Sequence, residues 1–191
     1  MNQLNVNNSA SVKSLSDFEC LRSAGFVRSY ECIETALRFF FREPSIACNQ
    51  FRKFLESVVQ DTLDILGAEP SNHLTKDLKN LETLLPETLL PEEIRAEMDT
   101  MRIIGNKYAH IQDGNSQHPE GDRTTCYVAA KKITKWLVDL KETDPEYLRQ
   151  EIEQKAKERR KRNMRHTLFY IAIRIMDGIS KGIKKNHKDR W

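Results

Sequence analysis

Apolar residues recur at three- and four-residue steps along most of the chain, the spacing of one face of an α-helix. The broadest stripe is Cys48, Phe51, Phe54, Leu55, Val58, Val59, Thr62, Leu63 and Leu66, which predicts a helix of about six turns. Glu43-Pro44-Ser45 opens it, with Pro44 suited to a first turn, and Gly67 closes it. Upstream, a short helix over about 16–24 is ended by Gly25, and a second over about 26–42 carries Tyr30, Ile33, Leu37, Phe40 and Phe41. Downstream, Leu74, Leu78, Leu81 and Leu85 predict a shorter helix, capped by Asn72 and closed by Pro86. Pro91 opens the next helix, which runs to His110, and residues 111–121 form a polar loop. From Asp122 the pattern is helical again, with Cys126, Ala130, Ile133, Leu137 and Leu140 inward and Trp136 beside them. Asp144-Pro145 then caps a helical but almost wholly polar pattern that runs to about residue 165. A last stripe, with Leu168, Ile171, Ala172, Ile175, Met176, Ile179 and Ile183, predicts a final helix.

The helix between Pro91 and His110 carries two neighbouring rows. Ile94, Met98, Met101, Ile104 and Tyr108 share an apolar face, while Arg95, Asp99, Arg102, Asn106 and His110 follow one residue out of phase. That offset puts the polar row about 100° around the helix, on the border of the buried stripe. Arg102, Asn106 and His110 are each four apart, so a guanidinium, an amide and an imidazole line one edge. Such a set can bind phosphate, and the imidazole can move protons. The same residues also suit a plainer role. Polar side chains bordering a core commonly bond backbone, and a histidine just before the turn signal Asp113-Gly114-Asn115 suits a last helical turn. Both readings stay open on spacing alone.

Composition narrows the class. The chain has 191 residues with only seven Gly and six Pro, and few β-branched runs, so the expected fold is all-α. Cys20, Cys32, Cys48 and Cys126 form no Cys-x-x-Cys pair, and the N-terminal residues contain no apolar leader. The expectation is a reducing cytoplasm and four buried or inert thiols. The net charge of +3 is unevenly spread: residues 155–191 hold thirteen Lys/Arg against three acids, so +10, leaving −7 on the remainder. Within that tail Arg159, Arg160, Lys161, Arg162, Arg165, Lys181, Lys184, Lys185 and Lys188 are the candidate nucleic-acid contacts, through phosphates. A basic amphipathic helix on an anionic membrane surface and a charged docking helix are the alternatives. The apolar run there is too short and too charged to span a bilayer. His110, His118 and Cys126 are too widely separated for a metal site, and no phosphate-cradling Gly-rich loop or nucleophile elbow is present. Neither a metal nor a cofactor is therefore expected.

A family resemblance is carried by the order of motifs. After Glu43-Pro44-Ser45 come Phe51-Arg52-Lys53-Phe54-Leu55-Glu56 and a leucine-rich spacer. Arg102-x-x-Gly105-Asn106-x-x-Ala109-His110 follows, and then Ala129-Ala130-Lys131 with Trp136-Leu137. Over about residues 27–141 the chain resembles domain of unknown function 4145, a small helical domain also found at the N-terminus of type I restriction R subunits. That domain is in turn similar to the HEPN superfamily of helical bundles. The resemblance implies an HEPN-like helical bundle, taken here over residues 14–142; on composition and charge, residues 1–13 are expected to be a disordered tail and 143–191 a basic helical extension. Active HEPN proteins are metal-independent, typically dimeric ribonucleases with an Arg-Asn-x-x-x-His motif at a cleft between protomers. Asn106 and His110 match its Asn-x-x-x-His part. The arginine position, 105, is Gly here, and Arg102, almost one turn back, is the expected substitute.

Two functional expectations follow. One is an accessory, non-catalytic module of a prokaryotic defence or restriction-like system, homodimeric, engaging nucleic acid or a partner protein. The other is a ribonuclease effector or toxin. There His110 would be the general acid/base, Arg102 would stabilise the transition state and Asn106 would orient them.

Overall fold

The computed structural model describes residues 14–71, 73–109 and 119–188, with 170–188 as helix backbone. The fold is all-α, with no strand among the described residues. Among the described residues a 3-10 turn over Leu15–Phe18 leads into seven helices: α1 (Glu19–Ser23), α2 (Val27–Phe39), α3 (Pro44–Ile65), α4 (Leu74–Leu84), α5 (Glu92–Ala109), α6 (Pro119–Glu142) and α7 (Pro145–Lys188). They form two compact units, one ending at Thr143 and one beginning at Asp144.

In the first unit α3 is the central element and packs against α2, α4, α5 and α6. Its stripe explains why: Cys48, Phe51, Phe54, Leu55, Val58, Val59 and Leu63 are all buried. Burying such a stripe on several neighbours supplies most of the stability of a helix that is marginal alone. Pro44 stands in its first turn, as its spacing suggests. Gly67, at φ +65°, ends it. The Ala68 N–H donates to the Leu63 carbonyl at 2.9 Å and the Gly67 N–H to the Asp64 carbonyl at 3.1 Å, the two bonds of a Schellman stop. Between α2 and α3 the Ser29 hydroxyl donates to Asp61 Oδ2 at 2.7 Å. Burial there holds the Asp61 carboxyl above its ordinary range, with the Ser29 bond opposing the shift.

α5 and α6 complete the unit. Met98 and Met101 of α5 and Ile133 and Leu137 of α6 are buried. The Trp136 indole N–H donates to the Leu89 carbonyl at 2.7 Å, pinning the α4–α5 connection to α6. α6 begins at Pro119 rather than at Asp122, because a proline is tolerated in a first helical turn where its missing N–H has no intrahelical partner. Cys48 and Cys126 are buried, Cys32 is half-buried and Cys20 is exposed, all as free thiols. The Cys126 thiol is held above its usual range by its bond with Cys48 and by burial. The Asn72 cap lies outside the described residues, and α4 begins instead on extended His73, without a side-chain cap.

The second unit is α7 alone. Asp144 Oδ2 accepts the Tyr147 N–H at 3.0 Å, an N-cap bond, and Pro145 takes the first helical position. The two helices expected in this stretch are one continuous helix of 44 residues. No Pro or Gly interrupts the sequence between Pro145 and Gly178, so nothing enforces a break near residue 165. No helix among the described residues is long and apolar enough to cross a membrane.

Candidate functional site

The organising contact lies between α3 and α5, at a glycine. Gly105 is buried, and a Cβ built on it would stand 2.3 Å from Cβ of Arg52 and 2.9 Å from its Cγ and Cδ. Carbon atoms in ordinary contact sit about 3.5–4.0 Å apart, so only a residue without a side chain admits the approach. The buried face of α5 is therefore Ile94, Met98, Met101, Gly105 and Tyr108. Ile104, expected on that face, is only half-buried.

Arg52 extends from this contact along the edge of α5. Its Nε donates to Asn106 Oδ1 at 2.8 Å, and a terminal guanidinium nitrogen pairs with Glu56 Oε1 at 2.9 Å, one turn further along α3. Backbone packing and two charge-assisted bonds fix this arginine in one orientation. The arginine expected beside Asn106 was Arg102. Its Nε instead pairs with Asp99 Oδ1 at 2.9 Å. Arg102 and Asn106 still share one lining, because residues four apart lie on one helix face.

That lining belongs to a cleft of about 570 Å³. Arg52 and Glu56 come from α3, Arg102 and Asn106 from α5, and the third wall is the start of α4, including His73, Lys76 and Lys79. Four permanent cations thus face one carboxylate, Glu56, which Arg52 already pairs. Lys76 and Lys79 make no ion pair among the described residues. The N–H groups of Lys76 and Asp77 go to the His73 carbonyl. Those of Leu74 and Thr75, at the positive end of the helix, receive no cap from the His73 side chain. Guanidinium, ammonium, amide and helix-end donors around one space form an environment for phosphate oxygens.

The end of α5 is held rigidly. The Tyr108 hydroxyl and Lys107 Nζ both donate to Asp122 Oδ2, each at 2.7 Å. Burial first, and then the bond to Asp122, push the Tyr108 phenol up to about 12. This clamp fixes the last turn from which the chain continues to position 110.

The expected site residues separate into three groups. Arg102 and Asn106 come together in the cleft, whereas His110 lies outside the described residues. Arg159, Arg160, Lys161, Arg162 and Arg165 are exposed on α7. Lys181, Lys184, Lys185 and Lys188 are positions on the helix backbone of α7, their side chains outside the description. Sequence reasoning missed Lys76, Lys79 and His73. The available signal was the i,i+3 lysine pair on the polar side of the leucine helix. Among the described residues, no group of three His, Cys, Asp or Glu side chains is arranged to hold a metal ion.

Residues 34–162, well over half of the chain, match the family described as "Domain of unknown function (DUF4145)", and the chain belongs to it. The match includes every residue lining the cleft. No curated protein and no solved structure matches the chain.

Proposed function

We propose that this member of a family of unknown function is a non-catalytic binding module that grips nucleic acid by its phosphates in the α3–α4–α5 cleft. The observation that carries the reading is the set of four cations lining the cleft, Arg52 paired with Glu56, Arg102 paired with Asp99, and Lys76 and Lys79 with no ion pair among the described residues. Phosphate contacts gain free energy by releasing counterions, and a guanidinium locked by packing loses less entropy when it binds than a mobile one. The exposed cations of α7, Arg159 to Arg162 and Arg165, supply a further sequence-independent attraction. On the resemblance to the restriction-subunit domain and to HEPN bundles, the module serves a prokaryotic defence or restriction-like system in the cytoplasm, as a homodimer. The test is the affinity of the purified protein for fluorescently labelled single-stranded RNA and DNA. Replacing Lys76, Lys79 and Arg102 together by Gln is expected to weaken binding by at least about tenfold, each lost contact being worth roughly 1 kcal/mol. Undiminished binding by that variant would sink the cleft as the site.

One observation favours a second reading, a metal-independent ribonuclease. Arg52 donates to Asn106 across the space that Gly105 leaves open, so an arginine does accompany the Asn-x-x-x-His sequence, from α3 rather than from α5. In that reading His110 is the general acid/base, Asn106 orients it, and Arg52 with Arg102 stabilises the transition state. It predicts RNA cleavage in EDTA that Arg52→Ala and His110→Ala each abolish while the fold persists. Intact RNA with all three proteins folded leaves the binding module.

A further inference from the structure

Beside the basic cleft lies a second cavity of about 130 Å³ with the opposite character. The two share Glu56 and Leu74 as walls, so they adjoin along the α3–α4 seam. The remaining walls are Val59 and Gln60 of α3 and Asp77 of α4.

Asp77 is the unusual member. It is only 3 % exposed, and its Oδ1 accepts the Ser71 N–H at 2.7 Å. Its Oδ2 makes no hydrogen bond among the described residues. A carboxylate accepts on both oxygens and donates on neither, and buried polar atoms in folded proteins are as a rule paired. Asp77 lines the cavity, so this second oxygen can accept from a donor that enters it. Glu56 engages Arg52 through Oε1, which leaves Oε2 as a second acceptor. Gln60 accepts Arg28 through its carbonyl oxygen at 2.6 Å, which leaves its amide N–H groups as donors.

We infer that the two cavities hold one nucleotide unit of a single strand, with its phosphate in the basic cleft and a guanine base in the cavity lined by Glu56, Gln60 and Asp77. The inference deepens the phosphate-binding reading above and rests on it. Guanine alone among the standard bases presents two adjacent donors, the ring imino N–H and the exocyclic amine, beside a carbonyl acceptor. The carboxylates answer the donors and the Gln60 amide answers the carbonyl. Adenine and cytosine set a ring-nitrogen lone pair next to their single amino group, and that lone pair would face a carboxylate. Uracil flanks its one imino donor with two carbonyls. In a duplex the same edge of guanine is already paired, so the strand must be single.

The experiment uses the full chain and three labelled strands: a uridine oligomer, the same strand with one guanosine, and the same strand with inosine at that position. Inosine keeps the imino N–H and the carbonyl but lacks the exocyclic amine. The guanosine strand is expected to bind about tenfold tighter than the other two, the usual worth of one bidentate base contact. Asp77→Asn, which keeps an oxygen for the Ser71 N–H, is expected to remove the guanosine advantage, so that the three strands bind alike. Equal affinity for all three strands overturns the base-reading inference. If Lys76→Gln/Lys79→Gln then weakens all three alike, the phosphate reading survives by itself. No binding to any strand overturns both. The inosine comparison needs only the wild-type protein, so it decides the matter even if Asp77→Asn does not fold.

Discussion

Gly105→Ala tests the contact on which the cleft is built. Elsewhere in a helix interior this substitution stabilises by about 1 kcal/mol, through helix propensity. Here the added methyl would stand 2.3 Å from Cβ of Arg52. A Cβ is fixed by its backbone and cannot swing away, so α3 and α5 must separate by about 1 Å to restore ordinary carbon contact. Overpacking of that kind costs roughly 1–3 kcal/mol. The separation also strains the charge-assisted bond from Arg52 to Asn106, a class of bond worth about 1.5–3 kcal/mol. Set against the propensity gain, the net loss is about 1.5–5 kcal/mol. For a chain of this size that corresponds to a fall in Tm of roughly 3–20 °C. Thermal unfolding followed by far-UV circular dichroism reads it directly. Arg52→Gly removes the opposing Cβ, so in the double variant the cost of Gly105→Ala should shrink by at least about 1 kcal/mol. An unchanged or raised Tm for Gly105→Ala would refute the close approach of the two helices, and with it the placement of Arg52.

Other consequences are simpler to check. Trp136→Phe leaves the buried Leu89 carbonyl without its donor and is expected to cost about 1–3 kcal/mol in urea unfolding; a cost below a few tenths would contradict that bond. Asp61 has its native pKa raised by burial, so the native state binds its proton at higher pH than the unfolded chain does. Its contribution is fully present below the unfolded carboxylate range and is lost as pH rises through the native value. Asp61→Asn should therefore gain on wild type at neutral pH, and the gap should close as pH falls toward the ordinary carboxylate range; a gap independent of pH would rule out the burial effect. In thiol labelling of the native protein, Cys20 should react readily, while Cys48 and Cys126 react only after unfolding. Rapid labelling of all four would mean that the α3–α6 seam is open.

The limits of α3 were legible in the sequence because local chemistry decides them: Pro44 suits a first turn and Gly67 a left-handed stop. The all-α class followed from the same periodicity. The site was half legible. Arg102 and Asn106 line one cleft because four-residue spacing alone places them together. Which arginine reaches Asn106 was not legible, because that depends on how closely α3 approaches α5. Gly105 governs that approach, and in sequence it read only as a missing arginine. The same contact explains why Gly105, and not Ile104, lies on the buried face. Lys76 and Lys79 escaped notice because the leucines of α4 dominated its reading, although the lysines are what turn an arginine edge into a cation-lined cleft. In α7 the change from a polar to an apolar pattern suggested two helices, but a change of face chemistry does not break a helix unless a breaking residue is present.

The central claim is tested most directly by the salt dependence of single-strand binding in three proteins: wild type, the cleft variant Lys76→Gln/Lys79→Gln/Arg102→Gln, and the α7 variant Arg159→Gln/Arg160→Gln/Lys161→Gln/Arg162→Gln. Each phosphate contact on a single strand contributes about 0.7 to the slope of log affinity against log salt. The account predicts that the cleft variant loses affinity and about 2 units of slope, and that the α7 variant retains the interaction at physiological salt. A cleft variant with wild-type affinity and slope, beside an α7 variant that no longer binds, would contradict it and assign the nucleic acid to the basic helix instead.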